Sequence, residues 1–321
     1  MFAIILLIII LALCGYGFSR IDCHVYLWFL DRFFMGPTYT AHLRGQVVWI
    51  TGASSGIGEY IAYEFAKRGA NLVLSGTNQS RLDAVKSKCV ELNPSLGVND
   101  VLVVQFDISD YIRHRACLER VIAHFQRIDI LVNNAGRSQR AAFEDIDIKV
   151  DEDMFRVNVF GPISLTRAVV NHWKQTNYKG QVVVTSSVAG ILPAPYSCTY
   201  SASKFALHGY FETLRIEAYQ YCKVTILCPG PVFSRILETA YTDQPGIQAN
   251  RTHSPDAKRM STERCASLCL TAIVNRVNVA WISIQPVLAS CYLAQYCPSL
   301  LVLIFTKFMS EEKLKAIREG E

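Results

Sequence analysis

Residues 47–58 read VVWITGASSGIG, and the fold is decided there. Four apolar, strand-forming residues run into a turn with glycines at 52, 56 and 58. EYIAYEFAKRGA follows as a helix, with Ile61, Phe65 and Ala66 on one side and Gly69 as its stop. NLVLS at 71–75 is a second strand, so the opening is a βαβ unit. Gly52 allows a tight turn, Gly56 lets the backbone approach a pyrophosphate, and Gly58 brings helix close to strand, with the phosphates at the helix N-terminus. The same octet contains GASSG, which fits the GxSxG nucleophile elbow with Ser54 as nucleophile. The hydrolase reading gives the third glycine no role and leaves the tyrosine and lysine described next unexplained.

Working outward, the βα pattern repeats. VLVVQFD ends at Asp107, a helix follows over YIRHRACLERVIAHFQRI, and DILVNNAG carries a strand into Asn133, Asn134, Ala135 and Gly136. Two carboxamides and two small residues at a strand's carboxyl end belong in the crevice where open α/β sheets bind ligands. Further on, TYSASKFAL at 199–207 sets Tyr200 and Lys204 one helical turn apart on one face. An adjacent ammonium favours a phenolate, which makes Tyr200 a candidate proton donor and acceptor. Tyr63 with Lys67, and Tyr219 with Lys223, repeat the spacing. Only Tyr200 has a hydroxyl thirteen positions upstream, Ser187; the others have Ile50 and Ala206.

TGASSGIG, Asp107, NNAG, Asn158 in RVNVFG, Ser187, YSASK and CPGPV, in that order, resemble the short-chain dehydrogenase/reductase family over about residues 46–284. The resemblance implies a Rossmann-like, doubly wound seven-stranded parallel sheet and NAD(P)(H) across the strand ends. Tyr200 would be the acid/base, Lys204 would tune it and hold the nicotinamide ribose, Ser187 would bond the substrate oxygen, and Asn158 would hold a relay water. The cofactor would meet Gly52, Ser54, Ser55, Gly56, Ile57, Gly58, Thr77, Asp107, Asn134, Ala135, Gly136, Tyr200 and Lys204, and then Pro229, Gly230, Val232 and Ser234. Residues 233–260 would form the lid, with Ile236, Leu237 and Tyr241 toward a lipophilic substrate such as a retinoid or steroid. The family also implies a homodimer, on which these residues are silent.

At the end of the second strand stand Ser75, Gly76, Thr77 and Asn78. An NAD enzyme offers a carboxylate there, and an NADP enzyme an arginine. With no acid present and Arg81 nearby, NADP(H) is favoured and NAD(H) remains an alternative.

The 321 residues lack repeats and linker-like stretches, and 51% hydrophobic content is ample for one large core. The formal charge of +5 is mild and unclustered, which argues against a nucleic-acid partner. Eleven cysteines, without a CxxC pair, suit a reducing compartment and give no zinc pattern. The expected organisation is a signal anchor over 1–19, a connecting segment over 20–45, the catalytic domain over 46–286, and a hydrophobic extension with a charged tail over 287–321. The first eighteen residues are uncharged and lack a cleavage pattern, so a retained anchor is expected, in the endoplasmic reticulum membrane. Basic residues follow it and none precedes it, which places the domain on the cytosolic side. Asn78 and Asn250 are glycosylation acceptors by sequence, and a glycan on Asn78 would obstruct the cofactor. Residues 287–309 are nearly uncharged and broken by Pro298, as a membrane-resting or substrate-mouth helix would be. The rival of a different class is a catalytically silent dinucleotide-binding scaffold; it predicts a missing catalytic residue, and none is missing.

Overall fold

The computed structural model describes residues 15–35, 40–252, 254, 256–310 and 312–314. Most of the expected anchor, residues 1–14, lies outside them, and no described helix is long and apolar enough to cross a membrane. Seven strands form one parallel sheet: β1 (Val47–Thr51), β2 (Asn71–Ser75), β3 (Val101–Val103), β4 (Ile130–Asn133), β5 (Gly180–Thr185), β6 (Cys222–Pro229) and β7 (Val279–Ile282). Their order is β3-β2-β1-β4-β5-β6-β7, so the order in which strands are laid down reverses between β1 and β4. The crevice of an open α/β sheet lies at that reversal.

Alternation along each strand divides the core. Val48 and Ile50 face one side with helices α1 (Val25–Phe33), α2 (Gly56–Ala66), α3 (Gln79–Leu92) and α8 (Thr262–Val274). Val47 and Trp49 face the other with α4 (Arg113–Phe125), α6 (Gly161–Gln175) and α7 (Cys198–Glu217). Successive residues of a strand point to opposite faces, and both faces here are covered, which is why the strands read as unbroken apolar runs. Of the cysteines described, eight are buried, as small apolar side chains are.

Three elements show local breaks. The third strand stops at Val103, although Val104 N still donates to Leu74 O at 3.0 Å and Phe106 N to Gly76 O at 3.1 Å. The helical stretch that carries Asn158 is interrupted: α5 (Ile148–Phe155) gives way to a π-helical turn over Arg156–Phe160 before α6 resumes. Pro162 has no N–H to give the carbonyl of Asn158, so the α-helical ladder cannot close there. The extension is two helices, α9 (Val287–Tyr296) and α10 (Pro298–Phe308), with Pro298 opening the second.

The N-terminal residues pack along the far edge of the sheet. Cys23 bridges Ile282 of β7, and His24 N donates to Trp281 O at 2.9 Å. Arg264 of α8 meets Asp22 at 2.7 Å and Asp31 at 2.8 Å. Gln285 Nε2 reaches the carbonyl of Phe18 at 3.1 Å.

Candidate active site

The turn after β1 is shaped by its glycines. Gly52 and Gly56 have φ of +64° and +60°, in the left-handed region that glycine enters without strain. A Cβ on Gly58 would lie 2.4 Å from both Gly52 O and Asn134 Nδ2. That contact exists because Asn134 braces the turn, donating to Thr51 O and Gly52 O at 3.2 Å. Thr51 Oγ1 in turn accepts from the backbone N–H of Asn134 and Ala135. Asn133, the other carboxamide, points inward and donates to Thr166 Oγ1 of α6 at 2.8 Å, so only one of the pair serves the crevice.

Tyr200 and Lys204 stand on the first turns of α7, both buried, with Lys204 Nζ 5.6 Å from the centre of the Tyr200 ring. The ammonium donates to Thr185 O at 2.8 Å. It carries three protons, so two remain for a ligand. Burial pulls the Lys204 pKa down to about 8. Ser187 Oγ, beyond the end of β5, donates to Pro229 O at 3.2 Å and accepts from Ala189 N at 3.1 Å. Asn158 is buried in the π turn: its Oδ1 accepts from Arg137 N at 2.8 Å, and its Nδ2 donates to Arg137 O at 2.9 Å and Ser203 Oγ at 3.0 Å. The wide turn thus aims one carboxamide at both the strand β4 loop and α7.

These groups line one cavity of about 750 Å³. Its wall includes Gly52, Ser54, Ser55, Gly56 and Ile57, then Thr77, Asp107, Asn134, Ala135 and Gly136, then Ser187, Tyr200, Lys204, Pro229, Gly230, Val232 and Ser234. Gly58 and Asn158 sit behind the wall as braces. The lid contributes Ile236, whereas Leu237 and Tyr241 are buried under it, Tyr241 packing in a cluster with Tyr200. Val287, Phe305 and Met309 of the extension also line the cavity. Ser54 also lines the crevice but has no histidine bonded to it among the described residues, so the hydrolase elbow has no base.

The decoy pairs are occupied elsewhere. Tyr63 donates to Glu59 at 2.7 Å, burial raises its pKa, and Lys67 pairs with Glu64. Tyr219 is exposed beyond the end of α7, and Lys223 is on β6. The pattern reading missed the carbonyl of Thr185 as the ammonium's partner, because a backbone acceptor has no residue signature. It also missed the excess of cations on the wall: Arg81, Arg137, Arg140, Lys204, Arg235, Lys258 and Arg259 against Asp107 and Glu238.

A nicotinamide dinucleotide fits these residues. The N-cap of α2, Ser55, makes no side-chain cap bond, so the first-turn N–H groups face the crevice free for phosphate. The buried ammonium with two uncommitted protons suits a ribose diol.

A parallel seven-stranded sheet, a glycine turn at its switch point and a tyrosine–lysine pair beside a serine define a short-chain dehydrogenase/reductase. The chain belongs to that family: the profile described as short chain dehydrogenase matches residues 46–245. It is 37% identical over 304 residues to dehydrogenase/reductase SDR family member 7 of Mus musculus, covering 92% of this chain and 88% of that protein. It is 40% identical over 251 residues to 11-beta-hydroxysteroid dehydrogenase 1A of Arabidopsis thaliana, covering 78% and 70%. Among solved structures, a short-chain dehydrogenase/reductase of Burkholderia phymatum in complex with NAD matches with a TM-score of 0.68 at 24% identity, covering 80% of this chain and 95% of that one. The protein is therefore an oxidoreductase resembling member 7.

Proposed function

We propose that the protein is a membrane-associated oxidoreductase that prefers NADP(H) and acts on a lipophilic carbonyl or alcohol of retinoid or steroid type. One observation carries the reading: Ser187, Tyr200 and Lys204 line the same cavity as the glycine turn and the apolar residues of the extension. The nicotinamide, when bound, supplies or accepts the hydride. Tyr200 gives a proton to the substrate oxygen during reduction, or takes it during oxidation. Ser187, turning its hydroxyl from the Pro229 carbonyl, donates a hydrogen bond to that oxygen and stabilises the charge that develops there. Lys204 holds the ribose with its two free protons and supports the phenolate of Tyr200. Asn158 fits a proton-relay role, since Pro162 withholds the α-helical donor from the Asn158 carbonyl in a π turn beside α7. The catalytic domain extends over 46–286, with 287–321 as the extension.

For the cofactor, the end of β2 supports NADP(H). The Ser75 hydroxyl accepts from Trp49 Nε1 at 2.9 Å and so faces inward. No carboxylate follows it, and Arg81 on the first turn of α3 lines the crevice without a carboxylate at ion-pair distance among the described residues. A 2′-phosphate there would meet this guanidinium and the α3 N-terminus together. Asn78 caps α3 through Arg81 N at 3.0 Å and lines the crevice, so a glycan on it conflicts with cofactor entry. That supports a cytosolic domain, anchored at the endoplasmic reticulum by residues 1–19. Homodimer formation follows the family's habit.

The test is titration with NADPH and NADH by fluorescence, then consumption of each with retinal, ketosteroids and aromatic carbonyls. NADPH is expected to bind more tightly and to be consumed with at least one lipophilic carbonyl. Tyr200→Phe should lower turnover by roughly 10²–10⁴-fold, the usual reach of a general acid/base, with NADPH binding nearly unchanged. Turnover that survives in this variant would remove Tyr200 from the chemistry, and failure to bind either nucleotide would overturn the reading.

A further inference from the structure

Three consecutive residues at the end of β5 face Lys204 or the crevice. Thr185 takes the ammonium on its carbonyl, and Ser187 lines the crevice with its hydroxyl on the Pro229 carbonyl. The one between them, Ser186, is buried against α7. Its Oγ donates to the backbone carbonyl of Lys204 at 3.1 Å, and His208 Nε2 lies 3.1 Å from the same oxygen. A hydroxyl has one proton to give. With that proton on the Lys204 carbonyl, the ring nitrogen must be the donor, and the chain runs from His208 N–H through Ser186 O–H to Lys204 C=O.

The surroundings fit this arrangement. His208 is one helical turn past Lys204 on the same face of α7. Its Nε2 is also 3.7 Å from Cys228 Sγ, on β6. Burial, with Arg215 and Lys204 nearby, holds the imidazole pKa down to about 4, so the ring is neutral at working pH. The space is closed: a Cβ on Gly190 would come within 2.7 Å of Ser186 Oγ and 2.9 Å of the Lys204 carbonyl oxygen. Lys204 is therefore fastened twice to adjacent residues of one strand end, by its main chain to Ser186 and by its ammonium to Thr185.

From these contacts we infer that His208 is a positioning residue of the oxidoreductase site, holding through Ser186 the turn of α7 that presents the Lys204 ammonium to the nicotinamide ribose. This rests on the ribose role of Lys204 proposed above. The histidine is not on the crevice wall. It acts by fixing where a long, flexible side chain begins.

The test uses the full-length protein and NADPH as probe. His208→Leu fills the space without a donor and should raise the NADPH dissociation constant about tenfold, the effect of losing roughly one buried hydrogen bond. His208→Gln places an amide N–H near the position of Nε2 and should restore binding to within about threefold, a rescue that space-filling alone would not give. In the wild type, ¹⁵N NMR should find His208 neutral and protonated on Nε2 between pH 8 and 5, a readout that no variant's folding can disturb. The inference is overturned by wild-type NADPH affinity in His208→Leu, by His208→Gln binding as weakly as His208→Leu, or by a proton on Nδ1. Lys204→Ala, measured alongside, separates it from the reading beneath it. Weakened binding in Lys204→Ala with none in His208→Leu overturns the positioning role alone; unchanged binding in Lys204→Ala removes the ribose role and this inference with it.

Discussion

Lys204 carries a charge that is conditional on pH. Burial lowers its pKa to about 8, with the Cys228 thiol acting weakly in the other direction. An amine whose folded pKa lies below its unfolded value burdens the folded state while protonated, so this group's cost to stability is present at neutral pH and fades as pH rises from about 8 toward the unfolded value. The ligand works in the opposite sense, because a ribose held by the ammonium favours the protonated form. NADPH binding should therefore take up a proton near pH 8.5, and affinity should fall as pH rises through about 8. Calorimetry in two buffers of different ionisation enthalpy measures that uptake, and Lys204→Ala should abolish it. At this scale the sequence was most informative for Tyr200, Lys204 and Ser187, whose spacing survives translation into geometry. It was mute for Ser186 and His208, because the direction of a hydrogen bond depends on which carbonyl lies across the strand end. The two asparagines of NNAG looked equivalent, yet strand alternation sends Asn133 to Thr166 and leaves Asn134 at the crevice.

Among elements, the turn between β1 and α2 is the most exacting. A methyl on Gly58 would sit 2.4 Å from the backbone oxygen of Gly52 and from the side-chain nitrogen of Asn134, which is held by the carbonyls of Thr51 and Gly52. Gly58→Ala should cost about 1–3 kcal/mol, the range for overpacking a well-fitted site, and should weaken NADPH binding at least severalfold as the phosphate turn shifts. A thermal melt and a fluorescence titration together check it; a variant as stable as wild type with unchanged affinity would show that the turn is looser than its packing suggests. The order of strands and helices was legible because buried parallel strands are long apolar runs bounded by helices of period 3.6. The π turn was not. Its cause is local, a proline at 162 that withholds one N–H, and a proline inside a helical pattern announces a break without saying which side chain the break will aim.

Across the whole molecule, residues 18–31 meet α8, β7 and Gln285 along one edge of the sheet. Arg264 binds Asp22 and Asp31 together, and the segment that carries them follows β7. Arg264 is more than a third exposed, so solvent screens these pairs and Arg264→Ala should lower stability by no more than about 1 kcal/mol. Its clearer effect should be local: limited proteolysis within residues 20–35 should accelerate severalfold, while NADPH binding is unchanged. Equal cleavage rates would mean that the backbone pairing to β7 suffices. This docking was not readable from sequence, since neither acid stands in a motif and their partner is more than 230 residues away. It has a mechanical consequence. Phe18 is tied to Gln285, and Gln285 is on the crevice wall. The N-terminal segment is thus no slack tether but a bracket, and any surface that grips residues ahead of it also sets the compass bearing of the crevice, leaving its mouth little liberty to swivel toward substrates arriving from elsewhere.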